Sequence, residues 1–247
     1  MAEGVPGGLV RRIYGNLGKL LSGKAAAGLI SLIYMIIAAH ALGPTDYGVL
    51  VLVHGFVTTV GGIIEFQGWH AVVRYGANCL ARHDETALMK LLRFVGGIEV
   101  AGGIVAIVAA ACLAPILGPR LGWSATALAF ALPYSFAVLG SVRSTAAGYL
   151  QLMGRFDLLG LHNAVAPTAR LVGAILAWWM HAGLGGFLIA WLVAALLEWV
   201  SLWALALWVA RRNFGETDIL GSVRGVTTDH PGIWRFMLIA NVDGTFG

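Results

Sequence analysis

Charge is scarce in this chain: Asp, Glu, Lys and Arg make up 11% of its 247 residues, where soluble domains run near a quarter. With 59% of residues apolar, a water-exposed fold would lack a polar coat. Cysteine is nearly absent as well. The two thiols, Cys79 and Cys112, offer neither metal-site spacing nor a disulfide framework. The sequence contains no HExxH, no Gly-x-Ser-x-Gly, no Walker loop and no dinucleotide fingerprint, so nothing in it argues for an enzyme. The seven histidines (His40, His54, His70, His83, His162, His181 and His230) are scattered without metal-site spacing and read as interfacial side chains. A net charge of +4 would suit nucleic acid only if Lys and Arg clustered on a water-facing element. They fall between apolar runs instead. The first 23 residues lack a short apolar core followed by a small-residue cleavage site, which gives no removable signal peptide.

Long apolar runs are what the sequence does have. A helix needs about 20 apolar residues to cross about 30 Å of hydrocarbon. Runs of that kind lie at Ala25–Leu42, Gly48–Trp69, Phe94–Ala114, Trp123–Ser141, Leu158–Met180 and Leu184–Val209, and a seventh starts at Ile233. A membrane β-barrel would alternate apolar and polar residues over short segments, and no segment does. The expected fold is therefore all-α: a polytopic membrane helical bundle of six transmembrane helices plus the start of a seventh. Residues 1–24 form an N-terminal segment, 25–209 the six-helix lobe, 210–232 a loop and 233–247 the opening of a truncated seventh helix. Gly43 can end a helix in the left-handed conformation and Pro44 cannot continue it. Thr45 can then cap the next helix, so Gly43–Tyr47 is expected to be a tight turn. A second tight turn is expected around Ala182 and Gly183. Longer polar connections are expected at His70–Arg93, Val142–Asp157 and Ala210–Gly232.

Lys and Arg set the orientation. Fourteen of them, from Arg11 to Arg235, fall on the side of the N-terminus and the longer loops, and one, Arg120, falls on the other. That bias predicts a cytosolic N-terminus. Trp123 and the Trp178–Trp179 pair fall at the opposite interface, as an aromatic belt would.

Ionisable residues inside the runs are the candidate site, because each costs at least about 2.5 kcal/mol near the bilayer centre. Arg170 lies ten positions before Met180, about 15 Å from the outer interface, and Glu198 lies fourteen after Leu184, about 21 Å from it. The two fit either an anion pathway or an ion pair tying two helices, and Pro167 is expected to kink the fifth helix just before Arg170. Glu65 and Glu99 fall nearer the cytosolic ends of helices two and three. They are expected to snorkel or to pair with Arg74 or Arg93, or else to form a proton or sodium site. Gly96–Gly97 and Gly102–Gly103 around Glu99 read as close helix packing.

Several connections resemble one known family. Ala41-Leu42-Gly43-Pro44-Thr45-Asp46-Tyr47-Gly48 resembles the LLGPxxYG turn after the first helix of bacterial polysaccharide and O-antigen flippases. These belong to the multidrug/oligosaccharidyl-lipid/polysaccharide transporter superfamily. Ala71-Val72-Val73-Arg74-Tyr75, Gly154-Arg155-Phe156 and Trp234-Arg235-Phe236 with Asn241 resemble later segments, in the same order. Glu65-Phe66-Gln67-Gly68 departs from the pattern, where relatives often carry an aspartate or an apolar residue before the glycine. The resemblance implies the N-terminal lobe of a two-lobe transporter in the bacterial cytoplasmic membrane. Its cargo would be a polyprenyl-diphosphate-linked glycan, with membrane lipid around it and other glycan-assembly membrane proteins as partners. It implies no nucleic acid, no metal and no cofactor, the energy coming from a coupled H+ or Na+ or from consumption of the glycan. A multidrug exporter of the same superfamily and a non-transporting membrane scaffold are the alternatives.

Overall fold

The computed structural model describes residues 7–215 and 221–246. Residues 1–6 of the N-terminal segment, 216–220 of the loop and Gly247 lie outside it, as do the side chains of 7–23, 126 and 242–246. The described residues are helical, with no strand among them. Among the described residues, four stretches are long and apolar enough to cross a membrane: Lys24–Ile64, Glu85–Leu117, Ala127–Leu152 and Gly183–Phe214.

The first stretch belongs to α1 (Gly7–Ile64), whose helical geometry breaks at Gly43, with φ 72° and ψ 175°. Tyr34 and His54 lie on either side of that break. Both rings pack on Trp191, with centroids 5.8 and 5.0 Å away. An unbroken helix would hold residues twenty apart at about 30 Å. The chain therefore folds back at Gly43–Pro44 into two antiparallel arms, as the turn residues predict. The far hairpin joins α7 (Val165–Trp179) to α8 (Gly183–Phe214) through His181 and Gly183, both at positive φ. These two helices approach closely: a Cβ on Gly173 would meet the Ala190 Cβ at 2.6 Å.

Elsewhere the structure redraws the expected boundaries. The second arm of α1 ends at Ile64, short of Trp69, because the chain breaks from helix at Glu65–Gln67. Gly68 is buried there, and a Cβ on it would stand 2.4 Å from Val95. Most of the expected polar connection 70–93 is helical: α2 (Trp69–Ala81) fills it, and α3 (Glu85–Leu117) starts early, capped by the Asp84 carboxylate on the Ala87 amide. The fourth run is not one α-helix. α4 (Ala125–Tyr134) tightens into a 3-10 segment (Ser135–Ser141), and the chain resumes as α5 (Ser144–Leu152) inside the expected 142–157 connection.

The fifth run is split into α6 (Phe156–His162) and α7. Pro167 sits in the first turn of α7, where its missing N–H costs nothing and its ring opposes helix continuing through Asn163. The break thus lies at Asn163–Ala164, just before the proline, on the side of Arg170 where the kink is expected. At 15 residues α7 is shorter than the roughly 20 needed to span alone, and α10 (Ile233–Phe246), with 14, is shorter still.

The interior comprises two apolar clusters. One, toward the Gly43 turn, gathers Leu50, Val53, Tyr134, Phe187, Leu188 and Trp191. The other, at the opposite end, gathers Leu88, Leu91, Leu150, Leu202, Ile233 and Met237. The exterior is strongly apolar too. Leu29, Ile36, Ile104, Val105, Leu132 and Trp179 are between 57% and 77% exposed. Water would penalise such a coat, whereas hydrocarbon does not.

Candidate functional site

Arg170 lies on the face of α7 that carries the buried residues Ala166, Ala174 and Ala177. Its guanidinium is part-buried and meets no carboxylate among the described residues. Nη1 donates to the Tyr34 hydroxyl at 3.3 Å, Nη2 lies 3.4 Å from His54 Nε2, and the group sits over the Trp191 ring at 5.3 Å. Its buried Nε has no hydrogen-bond partner. On the other side of the imidazole, His54 Nδ1 lies 2.8 Å from the hydroxyl of Tyr134, which is 1% exposed. Guanidinium nitrogens only donate. The Arg170 contact therefore suits a His54 with its lone pair on Nε2 and its hydrogen on Nδ1, donated to Tyr134.

Four elements converge to build this layer: both arms of α1, then α4, α7 and α8. Tyr34, Tyr134 and Arg170 each lie nine positions from the end of their helix on the Gly43-turn side, His54 lies ten from Pro44 and Trp191 eight from Gly183, all about 12–15 Å along the axis.

The expected Arg170–Glu198 pair does not form. Arg170 is level with Trp191, and Glu198 is seven residues further along α8, about 10 Å deeper. Counting each residue from its own helix end puts them about 6 Å apart in depth, less than this offset. Glu198 instead pairs with Arg143, whose side chain is 49% exposed. Beside that pair, Ser201 Oγ donates to the Glu198 carbonyl at 3.0 Å and lies 3.1 Å from His162 Nδ1.

Glu99 also departs from expectation. It is 2% exposed and, among the described residues, neither snorkels nor meets an arginine. Its Oε1 accepts from the Ser144 amide and its Oε2 from the Thr145 amide at 2.8 Å. A side chain of α3 thereby caps the N-terminus of α5, where orphan N–H groups and the helix dipole favour a carboxylate. Glu65 is part-buried and forms no salt bridge among the described residues, with either Arg74 or Arg93. With Glu99 and Ser141 it lines a cavity of about 10 Å³, room for one water. No group of three or more His, Cys, Asp or Glu among the described residues could hold a metal ion.

Among the cysteines, Cys79 is buried, with Sγ 3.8 Å from His230 Nε2. Burial raises the thiol above its ordinary value and lowers the imidazole, leaving a neutral contact between α2 and the segment before α10. Arg74 lies over the Phe236 ring at 4.6 Å and helps dock α10 on α2.

His54, Tyr34 and Tyr134 are the residues that reading the sequence missed. Their signal was equal depth: each lies within a residue or three of the Arg170 level when counted from the turns.

No family model matches the chain, and no solved structure matches it. The chain is similar to the inner membrane protein YghQ of Escherichia coli (strain K12), with 29% identity over 239 residues. The match covers 95% of this chain and 66% of that protein, so the chain spans just under two thirds of the relative's length. With an inner membrane protein as relative and several long apolar helices of its own, this chain is a helical membrane protein.

Proposed function

We propose that this chain is one lobe of a flippase, with six spans and the start of a seventh and its N-terminus in the cytosol. It moves a polyprenyl-diphosphate-linked oligosaccharide to the outer leaflet by alternating access. The reading is carried by one observation: a guanidinium deep in an apolar bundle with, among the described residues, no carboxylate to neutralise it and one buried N–H unused. Such a charge is costly in hydrocarbon unless it has a task, and the guanidinium fork matches diphosphate oxygens. The polyprenyl tail stays in lipid while the headgroup crosses beside Arg170. The resemblance of the Gly43-Pro44 turn and the later segments to polysaccharide flippases supports the same cargo. A drug exporter would call for a free carboxylate deep in the lobe, and Glu99 engages both oxygens on backbone amides.

The test is deletion of the gene in its own host, complemented by the whole wild-type gene or by the same gene carrying Arg170→Lys, at matched membrane levels. Surface glycan should fall on deletion, return with wild type and stay low with Arg170→Lys, which keeps the charge but loses the fork. Undiminished glycan on deletion, or full rescue by Arg170→Lys, rejects the reading.

A further inference from the structure

We propose that an anion binding at Arg170 brings one proton onto His54 Nε2, so that anion and proton enter the site together. This rests on Arg170 as the headgroup ligand. In the structure His54 Nε2 faces the guanidinium at 3.4 Å and Nδ1 faces the Tyr134 hydroxyl at 2.8 Å. Among the described residues the groups against His54 are Tyr134 from α4, Arg170 from α7 and Trp191 from α8, and Tyr34 from the first arm of α1 accepts from the same guanidinium. None is a carboxylate. A proton on Nε2 would therefore sit against a like charge, with nothing of opposite sign beside it.

A diphosphate diester changes that balance, because each of its phosphoryl groups carries a negative charge. Arg170 alone leaves the loaded site net negative, and one more positive charge neutralises it. His54 is the titratable group in contact with the guanidinium that can supply that charge, since tyrosines only lose protons. The anion draws the guanidinium toward its own oxygens, Nε2 loses its donor, and a proton from water binds the freed lone pair. The Nδ1–H bond to Tyr134 persists throughout, so the ring is already oriented and no bond other than Nε2–H forms. When the headgroup leaves, the Arg170 charge again faces Nε2 and expels the proton. Linkage then makes the anion carry a proton in the same direction.

The experiment is titration calorimetry of the full chain in detergent, in two buffers of different ionisation heat. The probe is a short-chain isoprenyl diphosphosugar, a diester that does not itself titrate near neutrality. Wild type should take up close to one proton per probe, and affinity should fall by up to about tenfold per pH unit toward alkaline pH. His54→Gln keeps an acceptor for Arg170 and a donor for Tyr134 but cannot titrate. It should bind with no proton uptake and a flat pH profile. Wild-type binding without proton uptake overturns the proposal while leaving Arg170 as ligand, and so does uptake that persists in a folded His54→Gln. Should that variant misfold, the wild-type uptake still decides. Absence of probe binding to wild type rejects the Arg170 reading and this inference with it.

Discussion

Two ionisable layers cross this bundle about 10 Å apart along α8, and they treat charge in opposite ways. In the layer farther from the Gly43 turn, Glu99 is held by two backbone amides and Glu198 by Arg143. Glu65, at the edge of the small cavity, is the exception. In the layer nearer the turn Arg170, the one cation there among the described residues, meets a hydroxyl, an imidazole and an indole face. A buried charge that is answered in the resting fold contributes to architecture. One that is left unanswered is available to something that arrives. The difference separates a structural layer from a binding layer within the same helices.

The largest effect should come from breaking the structural layer at Glu99. Glu99→Ala leaves the Ser144 and Thr145 amides buried without acceptors, at about 3 kcal/mol for the two. Glu99→Gln retains one acceptor and should cost roughly half of that. Unfolding in detergent, followed by circular dichroism, measures both. An alanine variant as stable as wild type would place Glu99 with the binding residues instead.

Next in size is Gly148→Ala. A Cβ there would stand 2.9 Å from the Trp69 Cα, so α2 and α5 must part, at about 1–3 kcal/mol. Gly97, beside which a Cβ meets open space, is the matched control and should change little on Gly97→Ala. Equal losses at the two glycines would show that close backbone approach is not what ties this end together.

A smaller effect separates the real partner of Glu198 from the expected one. A double-mutant cycle on Arg143 and Glu198 should show coupling of about 0.5–1 kcal/mol, discounted because Arg143 is half exposed. The same cycle on Arg170 and Glu198 should be additive, since the two lie in different layers. Coupling in the second cycle would join the layers and undo the comparison.

What was legible in the sequence follows from which signals are local. The Gly43-Pro44 turn is written in two adjacent residues, and the structure reverses there. The apolar runs gave the membrane and the helical class, and an arginine in such a run stood out. Partners were not legible, because they depend on helix offset and on backbone. Glu99 is answered by main-chain amides that no residue type announces. The helix at 144–152 lies where Arg143, Gln151 and Arg155 bracket the segment with polarity, so it read as a connection. His54 read as an interfacial histidine because its partners, Tyr134 and Arg170, are 80 and 116 residues away in the chain.

The smallest change in stability should come from Arg170 itself, and that is the sharpest test of the contrast. Arg170→Gln removes a charge that nothing neutralises, which relieves the cost of holding it in the bundle. The amide nitrogen still reaches toward Tyr34 or His54 as a donor, and the loss of stacking on Trp191 costs about 0.5–2 kcal/mol in the other direction. These terms oppose each other, so the net change should lie within about 1 kcal/mol of zero. Glycan export should nevertheless collapse, because an amide offers no charge to a diphosphate. A structural cation behaves in the reverse way: its loss unfolds the protein, and activity falls only in proportion to the folded fraction. Detergent melting and surface glycan measured on the same membranes distinguish the two. A variant that melts several kcal/mol less stably, with export falling only in step with its folded amount, would move Arg170 into the structural layer beside Glu99.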